Sequence, residues 1–255
     1  PHFSAATVGG AVAAGLSGPR RAAVGSLRDF VLGVKLMDGE GRIHRFGGEV
    51  MKNVAGFDVS RLLTGSLGTL GLILEVSLKV LPLPLGDASL RFDLPQDKAL
   101  ETLNRWAGKP LPLVASAWED GVLSIRLSGA QAAVWAACAA LGGEVMGEAA
   151  AADYWQGLRE QTAKFFTADE QAPLWRLSLP SVAPPLDLPG AMLIEWGGAQ
   201  RWLRIDAAAS MLRDAATRAG GHATLFRGGR AEQRAGGVFT PLAPALMEIH
   251  RRLKQ

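Results

Sequence analysis

Residues 52–73 read KNVAGFDVSRLLTGSLGTLGLI, and this stretch decides the fold. Four glycines (Gly56, Gly65, Gly68 and Gly71) punctuate a short apolar helix and lead straight into a strand. A packed core does not need glycine at that density. Backbone that turns sharply, or lies against a flat ligand, does. Asp58 is placed to cap a helix over 59–64, and Gly65 to end it. Further on, 72–80 alternates, with Leu74, Val76, Leu78 and Val80 on one side and Ile73, Glu75, Ser77 and Lys79 on the other. That predicts a strand with one well-buried face. It stops at Leu81-Pro82-Leu83-Pro84, a natural boundary.

Upstream, residues 7–21 read TVGGAVAAGLSGPRR, a second glycine-rich stretch that predicts a loop running into a short helix. The two stretches together suggest a cofactor wall built from main chain rather than from charged side chains. Between them, apolar runs at 30–37 and 42–46 flank Asp38-Gly39-Glu40-Gly41, a hairpin signal because Asp-Gly tolerates the positive φ of a tight turn. Two familiar phosphate motifs are excluded. Gly10 to Gly15 has P-loop spacing, but Leu16 and Ser17 stand where Lys and Ser/Thr are required. The Gly-x-Gly-x-x-Gly pattern after a strand is also absent. Converging N–H groups of glycine-rich backbone can still hold an anion. By composition alone, a structural loop and a ligand loop remain open alternatives.

From about residue 86 the texture changes. Strands are expected at 89–94, 113–118, 122–127, near 144–147, and at 174–179, 191–196, 202–205 and 223–226. Helices are expected at 96–107, 130–141, 150–166, 207–218 and 241–254. Glu119-Asp120-Gly121 marks a hairpin. Mixed strands with interspersed helices predict an α+β fold. No internal repeat is convincing, although a β-α-β-β-α-β order runs through the middle segment.

Composition narrows the function. With 255 residues, 48% hydrophobic and 20% charged, the chain suits one large or two modest globular domains. No apolar run approaches the roughly 18 residues of a spanning helix. The mild net charge of +3, scattered basic residues and single tyrosine argue against nucleic-acid binding. The lone Cys138 excludes an internal disulfide framework and reads as a buried, inert thiol in a reducing, cytoplasmic setting. The chain opens Pro-His-Phe and stops at Arg-Arg-Leu-Lys-Gln within a helical pattern, so both ends read as cut.

The ordered series of motifs resembles a known family. It comprises Thr7-Val8-Gly9-Gly10, Gly25-x-x-Arg28-Asp29-x-Val31-Leu32-Gly33, the Asp38-Gly39 hairpin, Lys52-Asn53-x-x-Gly56-x-Asp58 and Gly65-Ser66-x-Gly68-Thr69-Leu70-Gly71-x-Ile73. Residues 7–82 are similar to the second half of the flavin-binding domain of FAD-linked oxidases of the vanillyl-alcohol oxidase (p-cresol methylhydroxylase) type. The version Ala14-Gly15-Leu16-Ser17-Gly18-Pro19-Arg20-Arg21 looks most like the E-type FAD-binding subunits of bacterial glycolate oxidase. The closing segment, Phe239-Thr240-Pro241 to Ile249-His250-Arg251-Arg252-Leu253-Lys254, looks similar to them too.

The resemblance implies an α+β architecture in three parts. Residues 1–85 would be a partial FAD domain, 86–228 a ferredoxin-like cap, and 229–255 a helix returning to the FAD domain. It implies FAD lying extended against main chain. Thr7, Val8, Gly9 and Gly10 would approach the pyrophosphate and flavin. Ala14, Gly15 and Ser17 would line the flavin side, and Arg20 would meet an anionic group. Gly68, Thr69, Gly71 and Ile73 would pass the adenine-ribose end. The family's pyrophosphate loop would lie upstream of Pro1, so the chain as given is expected to hold FAD weakly or not at all. Asp58 reads as a cap and Arg28-Asp29 as an ion pair or turn.

The function this implies is that of an FAD-binding subunit of a glycolate oxidase complex. It would oxidise glycolate to glyoxylate with a sister FAD subunit and an iron-sulfur subunit, in the cytoplasm or peripherally at the inner membrane. Histidines are few, no metal-ligand spacing is present, and only His222 is a candidate base. A surface histidine is the plainer reading. Two alternatives stay open: a self-sufficient FAD oxidoreductase of another small hydroxylated substrate, and a non-catalytic assembly subunit.

Overall fold

The computed structural model describes residues 6–48, 57–169 and 171–254. Of the motif positions, Lys52, Asn53 and Gly56 lie outside them, as does His2. The chain divides into two compact units, residues 1–83 with 242–255, and residues 84–241.

The first unit opens with α1 (Val8–Ala14), α2 (Arg21–Val24) and a 3₁₀ turn at Leu27–Asp29. Strand β1 (Val31–Met37), strand β2 (Ile43–Gly47), α3 (Val59–Leu62) and β3 (Leu72–Leu78) follow. Among the described residues the strands form one antiparallel sheet in the order β2-β1-β3. The β1–β2 turn forms around Asp38, whose Oδ1 accepts the Glu40 and Arg42 N–H groups at 2.9 Å each. His44 Nε2 lies 2.7 Å from Asp38 Oδ2. That contact, helped by the two N–H groups, holds the Asp38 carboxyl well below the usual carboxylate range. Asp58 caps α3 as expected, accepting the Arg61 N–H at 3.1 Å.

The buried face of β3 is not the one its alternation predicts. Leu74, Leu78 and Val80 are exposed, Val80 at 85%. Ile73 and Val76 instead pack on the core of Val34, Leu36 and Leu63. The cause is a bulge. Lys35 faces Glu75 while Leu36 faces Ile73, so Leu74 is an extra residue and the phase of the strand flips there. Period-2 reading assumes an unbroken ladder and fails across such a residue.

The second unit runs β4 (Gly86–Asp93), α4 (Gln96–Ala107), β5 (Leu113–Glu119), β6 (Val122–Gly129), α5 (Gln131–Leu141) and β7 (Glu144–Val145). Next come α6 (Glu148–Glu160), α7 (Lys164–Thr167), β8 (Leu174–Ser178), β9 (Ala191–Glu195), β10 (Gln200–Arg204), α8 (Ala209–Arg218), β11 (His222–Arg227) and α9 (Ala231–Ala235). The single helix expected over 150–166 is two helices, broken where Gln161 takes a left-handed φ of 56°. Helix α10 (Pro244–Arg252) groups with the first unit and keeps Leu246, Met247 and Ile249 exposed.

Its strands form one antiparallel sheet, β11-β8-β10-β9-β5-β6-β4-β7. The sheet holds a repeat that no residue pattern reveals. The first half, β4-α4-β5-β6-α5-β7, has strand order β5-β6-β4-β7, a ferredoxin-like β-α-β-β-α-β unit. The second half, β8-β9-β10-α8-β11, has the matching order β9-β10-β8-β11, with residues 179–190 in place of its first helix. The halves join edge to edge at β5 and β9, where Ala117, Trp118 and Glu119 face Glu195, Ile194 and Leu193. One sheet face carries α4 and α5 over Leu90, Leu123, Ile125 and Leu127, and α8 over Trp175, Leu177 and Leu203. The other carries α6 and α7, where Trp155, Phe165 and Phe166 pack on Ala117, Leu193 and Trp202. Both faces are therefore buried, and polar residues of central strands are buried with them.

Candidate functional site

In the first unit the two glycine stretches meet. The Thr7 hydroxyl caps α1 by accepting the Gly10 N–H at 3.0 Å. The other end of α1 closes on Gly15, left-handed at φ 64°. Carbonyls of the last turn of α1 also accept from the second stretch: Gly65 N–H donates to Val12 O at 3.0 Å and Leu67 N–H to Ala13 O at 2.8 Å. A Cβ on Gly15 would lie 2.7 Å from Gly65 Cα, so only glycine lets the two chains touch. Gly71 does the same work against β1, since a Cβ there would lie 2.6 Å from Met37 O. Gly9 lies over Ile73, whose carbonyl oxygen would be 3.7 Å from a Cβ at that position.

The structure thus gathers Thr7, Val8, Gly9, Gly10, Ala14 and Gly15 on or beside α1. It sets them against the segment carrying Gly68, Thr69, Gly71 and Ile73. Thr7, Val8, Gly10, Gly68 and Thr69 are exposed, and a Cβ on Gly68 would meet nothing within 4 Å. None of these ten residues carries a charged side chain. Ser17 lies ten residues before its partner Leu27, whose N–H its Oγ accepts at 3.1 Å, leaving the hydroxyl hydrogen to donate. Arg20 Nε is buried and finds no partner among the described residues. Arg28 and Asp29 form the expected turn. Asp29 accepts both the hydroxyl and the N–H of Ser26, at 2.7 and 2.8 Å, which lower its pKa.

Sequence reasoning missed Thr64, whose hydroxyl is buried, lacks a partner among the described residues and adjoins the Gly15–Gly65 contact. An orphaned hydroxyl, an orphaned guanidinium nitrogen and exposed glycine backbone fit a flat, anionic dinucleotide better than a closed apolar core, where each orphan costs about 1–3 kcal/mol.

The candidate base is not part of this gathering. His222 is exposed at the first position of β11, opposite Ser178 on the sheet's edge, and its ring makes no hydrogen bond among the described residues. The polar groups of the second unit that were not anticipated lie deeper. Glu195 is buried, with Oε2 accepting from Trp202 Nε1 at 2.7 Å and Gln200 Nε2 at 3.1 Å, while Oε1 has no partner among the described residues. Burial raises its pKa to about 7, against the pull of those two donors. Arg201 donates to the carbonyls of Gly198 (3.3 Å), Pro184 (2.7 Å) and Ala183. Arg204 donates to those of Phe165 (3.0 Å), Phe166, Asp169 and Ala172 (3.0 Å). Both guanidinium groups tie loops to the sheet, a structural role. Their one sequence signal is an arginine at each end of the run Arg201-Trp202-Leu203-Arg204 in a short central strand. Among the described residues no group of three or more His, Cys, Asp or Glu side chains could hold a metal ion, and no helix is long and apolar enough to cross a membrane.

Comparison with known proteins bears directly on the first unit. An FAD binding domain family matches residues 2–47. The whole chain is 48% identical, over 256 aligned positions, to glycolate oxidase subunit GlcE of Escherichia coli (strain K12), covering 70% of that protein. It is 41% identical over 78 residues to glycolate oxidase subunit GlcD of Bacillus subtilis (strain 168), covering 31% of this chain and 17% of that one. Among solved structures, alkyldihydroxyacetonephosphate synthase superposes with a TM-score of 0.58 at 15% identity, a likeness of fold. That match covers 97% of this chain and 55% of the synthase, so the chain spans about half its length.

Proposed function

The chain belongs to the FAD-linked oxidase family that includes glycolate oxidase subunit GlcE, a family of FAD-dependent oxidoreductases, and on that premise we propose that it is an FAD-binding subunit of a glycolate oxidase complex. The observation that carries this reading is the main-chain join between α1 and the segment 65–73, an exposed glycine surface with an unpartnered arginine nitrogen in the same unit. Bound FAD would supply the two-electron acceptor for oxidation of a hydroxyl-bearing carbon.

The chain's own residues would bind and orient that group. Exposed N–H groups near Thr7, Val8 and Gly9 would face its anionic centre, since the Gly10 N–H is already committed to the cap. Arg20 would supply a charge-assisted donor and Ser17 a hydroxyl hydrogen. Gly68, Thr69 and Gly71 would let the ligand's other end lie close to backbone. Residues 84–241 would form the cap and 242–255 the returning helix. The partners would be a sister FAD subunit of the GlcD kind and an iron-sulfur subunit, with glyoxylate as product. The turnover site would lie in the sister subunit, because histidines are few here and no metal-ligand spacing is present in the sequence.

The test is a flavin spectrum and intact mass on the full-length gene product, with and without candidate partners, alongside glycolate oxidation by the assembled complex. The expected result is near-stoichiometric FAD in this subunit and glycolate turnover by the complex alone. A flavin-free full-length subunit would overturn the cofactor assignment. An assembled complex still fully active after Gly10→Trp has removed this subunit's FAD would reduce it to an assembly role.

A further inference from the structure

The second unit contains a cleft of about 990 Å³, within the size range of small-molecule sites. It opens over the α6/α7 face, where β4 and β5 end and β6 and β9 begin. Residue 86, where the chain enters the unit's sheet, pairs with Gly129 at the opposite end of these strands. Trp118, Tyr154, Phe165 and Met192 give the cleft apolar walls. Its charged lining is Asp93, Glu119, Asp120, Glu144 and Asp169 against Arg91, Lys164 and Arg204, five acids to three bases, in a chain whose net charge is +3.

These charges are not equally available. Arg204 is consumed by four carbonyls, and Asp169 Oδ1 accepts the N–H groups of Gln171 and Ala172 at 3.1 Å. Arg91 faces Glu144 across the β4–β7 ladder and lies over the Tyr154 ring. Lys164 is near enough to Glu119 to favour its ionised form. Lys164 makes no ion pair among the described residues, which leaves Asp93, Glu119 and Asp120 without a committed cation. Asp93, Val122 and Glu119 stand in one cross-strand row, and Glu119 accepts no hydrogen bond among the described residues. Glu195 lies on the same sheet face, diagonal to Glu119 across the β5–β9 seam, with its buried Oε1 unpartnered. Each glutamate ends the second strand of its half of the sheet, so the repeated topology sets the two residues diagonally across the seam. Tyr154, which lines the cleft, is close enough to feel both charges.

We propose that this cleft binds a small organic cation, an ammonium group carried on an apolar or aromatic body, with Glu119 as its counter-ion and Asp93 and Asp120 at the mouth. The apolar walls would take the body, and the excess carboxylates repel anions such as 2-hydroxy acids, so the site is separate from the glycolate chemistry. Desolvation and the neighbouring Asp120 raise the pKa of Glu119, and a bound cation would relieve both costs.

The experiment titrates the protein with 2-phenylethylammonium, 2-phenylethanol and phenylacetate, three probes of one shape and different charge, by calorimetry and NMR. The ammonium should bind, with the neutral probe weaker by roughly fivefold or more and the anion weakest. Glu119→Gln and Asp120→Asn should each weaken it by about threefold to tenfold. Asp120→Asn keeps the left-handed turn residue and guards against misfolding. Glu101→Gln, on exposed α4 beside Lys98, should leave it unchanged. No ammonium binding, equal binding of the three probes, or parent-like affinity in both cleft variants would overturn the proposal.

Discussion

The two units reach stability by opposite means. In the second, three buried clusters cover both faces of one long sheet, and even arginines and a glutamate are enclosed. In the first, the buried hydrophobic side chains among the described residues are five, Val12, Val31, Val34, Leu36 and Leu63, with a few partly buried neighbours. Leu72, Leu74, Leu78 and Val80 meanwhile stay in solvent. What joins the parts of the first unit is chain on chain: glycine against glycine, carbonyl to N–H. One unit is therefore sensitive to lost side chains and the other to added ones.

That contrast can be broken by five substitutions. Arg201→Ala should have the largest effect, since three carbonyls lose their donor and a void replaces the guanidinium; we expect about 3–5 kcal/mol off the second unit's stability by denaturant melting. A loss under about 1 kcal/mol would show that the loop at 183–184 does not depend on it. Gly15→Ala should come next, at about 2–3 kcal/mol in the first unit by hydrogen exchange, because its Cβ meets Gly65 and its φ is left-handed. Gly68→Ala shares the φ but meets open space, and should cost about 1 kcal/mol. If the two glycines cost the same, main-chain packing is not what binds the stretches.

Glu195→Gln tests the enclosed charge through pH. The folded carboxyl titrates near pH 7 and the unfolded one near 4.5, so the folded state holds its proton more tightly. Stability of the parent should fall as pH rises from about 4.5 to 7 and level off above that, by up to about 3 kcal/mol. The Gln variant should lack that decline, and identical pH profiles would count against a buried, proton-holding Glu195. Asp58→Ala removes a half-buried helix cap and should likewise cost about 1 kcal/mol.

Much of this was legible in residues. The Asp38-Gly39 and Asp120-Gly121 turns carry their own chemistry, Asp58 announces a cap, and the spacing of glycines marks α1 and the segment 65–73 as partners. Other features depend on partners distant in sequence. Nothing near Leu74 reveals that Lys35 and Leu36 open a bulge opposite it. Arg201 and Arg204 fall on opposite faces of their strand, and both are buried because the sheet is covered on both sides. The two halves of the large sheet share connections rather than residues, so their likeness is visible only once strand order is known. Arg20 and Thr64 are ordinary in sequence, and their significance is that nothing answers them in the fold.

The seam between β5 and β9 has a consequence for how this sheet is made and unmade. Paired strands within each half lie at most about 55 positions apart along the chain, as Leu90 does from Val145, so each half closes through nearer encounters than the seam does. Only the seam demands a meeting of residues some 75 positions apart, Glu119 with Leu193, and it is short. The aromatic cluster of Phe165, Phe166 and Trp202 lies across it like a clasp. Assembly should finish at that line, and a pulled or heated molecule should part along it first, giving two self-contained pieces before either one unravels.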